Sequence, residues 1–425
     1  MKEDISPIGT RETWGGNAPF GISTVDRRQH LYALGRTGTG KSTLLKNLIL
    51  SDIHAGRAVG LIDPHGELAT EILQSIPRRR IEDVVYFNPA DREYPIGLNL
   101  LNAVSDSERH LVASGIVGVF RNTWAGSWGP RLEYTLYATI AALLESKNTS
   151  LLGVPRMFTD PAYRRSVTKQ IKDPVVRSFW ENEFESYPPR LRAEIVAPIQ
   201  NKVGALLMSP ILRNILGQVK STIDARFIMD RNSIMIANLS KAKIGADKSN
   251  LLGALLITQF ELAAMSRADI HESKRKDFFL VVDEFQSFGT ESFVSILSES
   301  RKYRLNLTLS HQYMEQVPES IRNAIFGNVG SIISFRVGTR DAEILAKEFG
   351  TVNARVHLTD LGNYEVFAKL LSNGQYGEPF IGKTLPPFAT QYGHQETILM
   401  RSREKYGKPR AVVENKIERW MKARF

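Results

Sequence analysis

The sequence predicts an α/β protein, a mainly parallel sheet with helices on both faces, interrupted by an all-helical insertion. Three observations predict it. Apolar runs of strand length alternate with amphipathic stretches over residues 29–104 and again over 227–395, the pattern of a parallel sheet covered by helices. Strand patterning nearly vanishes over 105–226. A glycine-rich loop, "GRTGTGKSTLL" at 35–45, separates the first strand of the alternation from its first helix.

Residues 1–28, rich in Gly, Pro and charge, read as an irregular N-terminal arm. "QHLYAL" ends at Leu34 as the first strand, and in "STLLKNLILSDI" Leu44, Leu45, Leu48 and Ile49 share a helical face. The strand "AVGLID" (58–63), the helix "ELATEILQSI" (67–76) and the strand "DVVYFN" (83–88) follow. Within the insertion, "PRLEYTLYATIAALLES" (130–146) and "IVAPIQNKVGALLMS" (195–209) carry apolar residues at helical spacing, broken by turns at "KDP" and "YPP". The alternation returns with "SIMIANLS" (233–240), a helix over 246–266, "DFFLVVDEF" (277–285), a helix over 291–303, "LNLTLSHQ" (305–312) and "SIISFRVG" (331–338). Extended "YEVFAKLL" (364–371), the turn "SNG" and a "LPP" break lead to a basic tail, 396–425. Its helix, from about residue 411, sets Val413, Ile417, Trp420 and Met421 along an apolar stripe that needs a cover.

A chain of 425 residues with 42% hydrophobic content can bury a large core. It has no cysteine, which excludes disulfides, thiolate metal sites and cysteine nucleophiles, and fits a reducing cytoplasm. The start "MKEDISPIGTRETW" lacks the apolar core of a signal peptide, and apolar runs such as "LLGALLI" (251–257) fall short of a bilayer span. A cytoplasmic protein with no transmembrane segment of its own is expected. The formal charge of +10 suggests a polyanionic partner, nucleic acid above all. Nine Lys/Arg against three Glu lie within 401–425, either a DNA-facing tail or a solvated terminal helix.

In the glycine-rich loop, Gly35, Gly38 and Gly40 allow successive N–H groups to converge on a phosphate at the helix N-terminus. Lys41 is placed to reach the β- and γ-phosphates and Ser42 to put its hydroxyl on Mg²⁺, with Thr37, Thr39 and Thr43 completing the nucleotide-binding loop. "FFLVVDEF" is a buried strand whose C-terminal end delivers Asp283, a metal ligand, and Glu284, a general base for the attacking water. That reading requires the strands ending at Leu34 and Val282 to lie side by side in the sheet. At the end of the next strand Gln312 is placed to sense the γ-phosphate, or simply meets solvent. Asp63, His65 and Glu67 in "LIDPHGE" line either the site, a nucleic-acid path, or only a Pro-containing turn. Arg301 and Arg304 in "SESRKYRLN" either stabilise phosphate charge in a neighbouring subunit or complement a helix end. Lys241, Lys243 and Lys248, in the Lys-rich loop "SKAKIGADKS", are the candidate DNA phosphate contacts, or a solvated loop.

Taken together, "RRQHLYALGRTGTGKSTLLKN", "GLIDPHGELATEIL", "FLVVDEFQSFGTESFVSILSESRKYRLNLTLSHQ" and "FGNVGSIISFRVG" resemble the HerA/FtsK superfamily of DNA-pumping ATPases. Within it the chain is most similar to the TraG/TraD-type coupling proteins of type IV secretion and conjugation. The resemblance implies a RecA-like core, a hexameric ring with ATP sites between subunits, and DNA in a central channel. It implies that Lys41 and Ser42 are the Walker A positions, Asp283 and Glu284 the Walker B positions, Gln312 the strand-end glutamine, and Arg301 the arginine that reaches into the adjacent subunit. "DPHGE" resembles the HerA form of the second strand's end.

Coupling proteins of this type carry N-terminal transmembrane helices and HerA proteins an N-terminal barrel, whereas only residues 1–28 precede the first core strand here. Any attachment to the inner membrane is therefore expected through a partner. The leading expectation is an ATP- and Mg²⁺-dependent, ring-forming DNA translocase, with a relaxase or a membrane-embedded secretion complex as partner. A HerA-type helicase or end-processing motor working with a nuclease, and a secretion or pilus-assembly ATPase without a DNA path, remain open.

Overall fold

The computed structural model describes residues 4–102, 105–289, 292–351 and 353–423, which form two compact units. The first unit comprises Met1–Phe87, Ala225–Ser240 and Ala263–Arg401, and the second Asn88–Asp224, Lys241–Leu262 and Ser402–Phe425.

The strands are β1 (Ile5–Thr13), β2 (Gly16–Ser23), β3 (Leu31–Leu34), β4 (Ala58–Asp63), β5 (Val84–Phe87), β6 (Ile234–Asn238), β7 (Phe278–Val282), β8 (Leu305–His311), β9 (Ser331–Ser334), β10 (Glu365–Lys369), β11 (Leu371–Ser372), β12 (Gln375–Tyr376) and β13 (Phe380–Thr384). Among the described residues, eleven of them form one sheet in the order β2-β1-β13-β10-β9-β3-β8-β7-β4-β6-β5, while β11 and β12 make a separate hairpin. From β9 to β5 every pairing is parallel. The segment β9 to β2 is antiparallel. Every residue of β3, β4, β6, β7 and β8 is buried, as expected of parallel strands covered on both faces. The helices Lys41–His54 and Glu67–Gln74 seat Leu45, Ile49, Ile53, Leu68 and Ile72 against Val59, Ile234 and Phe279.

Two expectations change here. The first 28 residues are not an irregular arm: β1 and β2 form a hairpin, turned at Gly16 with φ +102°, that extends the sheet through β13. Pro7 and Gly9 flank a register shift in that hairpin, which is why the segment does not read as a strand. A side chain at Gly9 would strike the Lys383 carbonyl, so the glycine marks close backbone pairing. Second, the strand ending in Asp283 does not neighbour the strand ending at the glycine-rich loop, because β8 lies between β3 and β7.

A buried ion pair anchors the hairpin. Arg27 donates to both carboxylate oxygens of Asp52 (2.7 and 2.9 Å) and to Ser6 Oγ (2.9 Å), with its guanidinium 4.0 Å over the Phe279 ring. Asp52 also accepts from Arg57 at 2.7 Å.

The second unit is helical, as its periodicity predicts. Helices Arg109–Thr123 and Pro130–Glu145 begin it, and Phe158, Phe179, Trp180 and Phe184 form an aromatic core with neighbouring ring centroids 5.0–5.7 Å apart. The apolar stripe of the terminal helix Arg410–Lys422 finds its cover in this unit: Val413 and Ile417 are buried. Arg156 packs its guanidinium 5.0 Å over Trp420 and donates to the Trp420 carbonyl at 2.6 Å, capping the helix end. Several tail cations are paired, among them Arg403 with Asp91 at 2.7 Å and Arg410 with Glu414 at 2.8 Å.

"LLGALLI" proves to be part of a longer apolar element. The helix over Ala246–Asp269 is, by length and composition, able to cross a membrane, yet 67% of its apolar window is buried inside the protein. Burial of that kind is what a core helix shows.

Candidate active site

Four adjacent parallel strands deliver their C-terminal ends to one edge of the sheet. β3 runs into Gly35, β8 into Gln312, β7 into Asp283 and β4 ends on Asp63, with Leu34 opposite His311 and Ile62 opposite Val282 in the register. This is the edge at which open α/β sheets bind ligands.

The loop after β3 is built around conformations that only glycine takes easily. Gly35, Gly38 and Gly40 have φ of +155°, +79° and +120°, and a side chain on Gly35 or Gly40 would collide with Phe335 or with Tyr364. Thr39 Oγ1 donates to the Arg36 carbonyl at 2.7 Å, closing the loop on itself. Lys41, at the first turn of its helix, is buried and donates to the carbonyls of Gly35 (2.5 Å) and Arg36 (3.2 Å), so its ammonium lies across the loop's inner face. Burial pulls its pKa down, and the charges of Glu284 and Asp283 oppose that. Ser42 and Thr37 are exposed, Thr43 half-buried and Thr39 buried.

Opposite the lysine stand the acids. Asp283 is buried and its pKa is pushed up to about 6, first by burial and then by the negative charges of Glu284 and Asp63, against the pull of Lys41. Glu284 takes a left-handed backbone, φ 47° and ψ 48°, unusual for a residue with a side chain. The carboxylate is fixed at both oxygens: Gln312 Nε2 donates to Oε1 at 2.9 Å and Gln286 Nε2 to Oε2 at 2.6 Å. Gln312 is in turn held by Gln316, whose Oε1 accepts from the backbone N–H of Gln312 (3.3 Å) and of Tyr313 (3.2 Å). Behind them His311 and the Tyr32 hydroxyl are hydrogen-bonded in the core.

The remaining sequence candidates fall into different places. Asp63 accepts from the backbone N–H of His65 at 2.8 Å and of Ala69 at 2.9 Å, so both its oxygens order the turn after β4 while its charge acts on Asp283. His65 and Glu67 are exposed on that turn. Arg301 is exposed in the short helix Ser300–Tyr303, which leads into the N-terminal end of β8. β8 has seven residues, roughly 20 Å of strand, so Arg301 lies at the edge of the sheet opposite its own Gln312. Arg304 bonds Glu272 at 3.3 Å. The lysines expected on a loop instead lie on helices of the second unit, since Lys241–Ile244 is one helical turn and Ala246–Ser266 follows after Gly245 at φ +89°. Lys243 is exposed, Lys241 is half-buried, and Lys248 lines a cavity of about 320 Å³ with Asp91, Ile211 and Arg410.

The loop and the acids fit a magnesium nucleotide on this structure's own terms. The cradle has no room for a Cβ at two glycines, and beside Lys41 the Asp283 carboxyl feels the negative charges of Glu284 and Asp63, a local charge that a divalent cation would offset, although among the described residues no group of three acids or histidines is gathered as a metal site. Gln286 and Gln316 escaped the sequence reading, because nothing in "DEFQ" or "HQYMEQ" marks a glutamine that folds back on the strand end.

Comparison with known proteins follows this geometry. The family model described as the type IV secretion-system coupling protein DNA-binding domain matches residues 16–357. The chain belongs to this family. Comparison with curated protein sequences gives no match. Among solved structures, the chain is similar to the bacterial conjugative coupling protein TrwBdeltaN70 in its unbound monoclinic form, with a TM-score of 0.62 at 13% identity over 88% of each chain. It is likewise similar to the plasmid coupling protein TrwB in complex with ADP and Mg²⁺, at TM-score 0.61 and 14% identity over 87% of this chain and 88% of that one. VirB4 of Thermoanaerobacter pseudethanolicus gives TM-score 0.59 at 15% identity, over 92% of this chain and 98% of its own. At such identities the likeness establishes the fold, a RecA-type sheet with a helical domain, in agreement with the family's implied architecture.

Proposed function

We propose that this coupling-protein family member is an ATP- and Mg²⁺-dependent motor that moves DNA through a homo-oligomeric ring, hexameric in the manner its family resemblance implies. The observation that carries the reading is the Glu284 carboxylate, locked by Gln312 and Gln286 at the edge where Lys41 and Asp283 meet. A carboxylate held at both oxygens is a preorganised base for one water molecule. The bound ion would neutralise phosphate charge; the chain's own residues do the rest. The loop N–H groups and Lys41 bind the phosphates, Gln312 ties the nucleotide's state to Glu284, and Glu284 accepts the water proton. A nucleotide in TrwB, as its description states, is ADP with Mg²⁺, which supports the same ligands here.

Lys41 is the buried cation of the loop, and Arg301 lies at the opposite edge of the sheet from it. A neighbouring subunit's Arg301 would complete the site, as arginine fingers do in trans. Lys241, Lys243 and Lys248 are the proposed DNA phosphate contacts, with Lys243 the most accessible. A relaxase or a membrane-embedded secretion complex would deliver the DNA.

ATPase assays with and without DNA over a range of salt test the proposal. DNA should stimulate hydrolysis, the stimulation should fall steeply with salt, and alanine at the three lysines should remove it while nucleotide binding persists. Hydrolysis indifferent to DNA at every salt concentration would replace the motor with a secretion or pilus-assembly ATPase. Strand separation in the same assay series would favour a HerA-type helicase.

A further inference from the structure

Tyr364 is the residue most at odds with its own backbone. It has φ +67°, a conformation that bulky side chains rarely take, and the sequence offers no glycine or asparagine at the position itself. Both of its backbone groups are committed. Its N–H donates to the Thr39 carbonyl of the phosphate loop at 2.8 Å, and its carbonyl accepts from Thr384 N–H at 2.8 Å and from Thr384 Oγ1 at 3.2 Å. The ring lies against the Cα of Gly40, where an added Cβ would come within 2.8 Å of Tyr364 Cδ1 and 3.0 Å of Phe335 Cε1. Unlike Phe335, which is fully buried, Tyr364 keeps 39% of its surface exposed. A half-exposed aromatic face is thus bolted to the loop that holds the phosphates, at the cost of backbone strain that persists where the surroundings over-determine it.

Resting on the nucleotide reading above, we propose that Tyr364 is the platform on which the nucleobase stacks. In the nucleotide reading the glycines of the loop and Lys41 address the phosphate chain, which leaves the base to be held by something else. An aromatic face at the edge of that loop supplies the remaining contact that a nucleoside triphosphate offers: a flat, apolar base. Stacking reads the face of a base and not its edge, so the site takes purine nucleotides of either kind with similar affinity.

Three variants, two nucleotides and a base-free control ligand test this. Binding of ATP and GTP is measured by calorimetry for the wild type, Tyr364→Ala, Tyr364→Phe and Tyr364→Gly, alongside inorganic tripolyphosphate, which presents the phosphates without a base. Removing the ring should weaken both nucleotides about tenfold to a hundredfold, leave tripolyphosphate unchanged, and be rescued by Tyr364→Phe. Tyr364→Gly should also raise the melting temperature by relieving the left-handed backbone while losing the same nucleotide affinity. Equal losses for nucleotide and tripolyphosphate would show that Tyr364 only shapes the phosphate loop and would overturn the proposal, as would unchanged nucleotide affinity in Tyr364→Ala. A wild-type chain that binds neither ligand sinks the nucleotide reading itself, an outcome distinct from both.

Discussion

Single side chains set how the site acts. Gln286 acts only through Glu284, to whose second oxygen it donates, so it is a positioning residue. One hydrogen bond to a carboxylate is worth about 1.5–3 kcal/mol, and Gln286→Ala is expected to lower kcat roughly ten- to hundredfold with KM nearly unchanged, measured by steady-state ATP hydrolysis. Rescue by Gln286→Asn would argue against it, since the shorter amide cannot span the same gap. At the other edge, His30 is buried with Nδ1 accepting from Leu307 N–H at 3.0 Å and Nε2 facing the Leu297 carbonyl at 3.2 Å, which requires the neutral ring. Burial pushes its pKa down to about 4, with Arg301 adding to the effect. The folded chain therefore binds fewer protons than the unfolded chain between pH 6.5 and 4, and stability is lost as pH falls through that window. The full shift corresponds to about 3 kcal/mol. Denaturant unfolding of His30→Gln should show that much less pH dependence between pH 6.5 and 4 than the wild type.

At the scale of elements, the hairpin β1–β2 is tied to the helix that follows the phosphate loop through Arg27 and Asp52, which are 1% and 0% exposed at the side chain. Asp52→Ala would leave Arg27 charged and unpaired in the core, and the loss should be about 3–5 kcal/mol by chemical denaturation. Replacing both partners with apolar residues should recover much of it. This element also shows where the sequence was legible. The strands from β3 to β9 announce themselves as buried apolar runs, and the acids, the glycines and Lys41 sit at their ends as expected. β1 and β2 carry glycine where backbones approach and a proline at a register shift, so pairing, not side-chain pattern, makes them strands. "SKAKIGADKS" reads as a Lys-rich loop between a strand and a helix, yet Gly245 only joins two helical segments there. Gln286, Gln316 and Tyr364 depend on backbone turns at strand ends, which no local periodicity encodes.

At the scale of the whole molecule, the decisive fact is that one chain holds its Arg301 and its Lys41 at opposite edges of the sheet. A subunit with Lys41→Ala keeps its Arg301, and one with Arg301→Ala keeps its phosphate loop. Each variant alone should be inactive, and mixing the two should restore part of the ATPase activity by assembling sites from intact halves. Absence of any recovery, with mixed oligomers demonstrated by native mass spectrometry, would remove the trans role of Arg301.

β8 ties these scales together. Its seven buried residues connect Arg301, just before its start, to Gln312, just after its end. Were Arg301 to serve the next subunit as proposed, a single strand would touch two catalytic centres, with Gln312 at its tip in one and Arg301 at its base in the other. In the proposed ring, firing order would then need no separate messenger, because one buried strand joins Gln312 to Arg301.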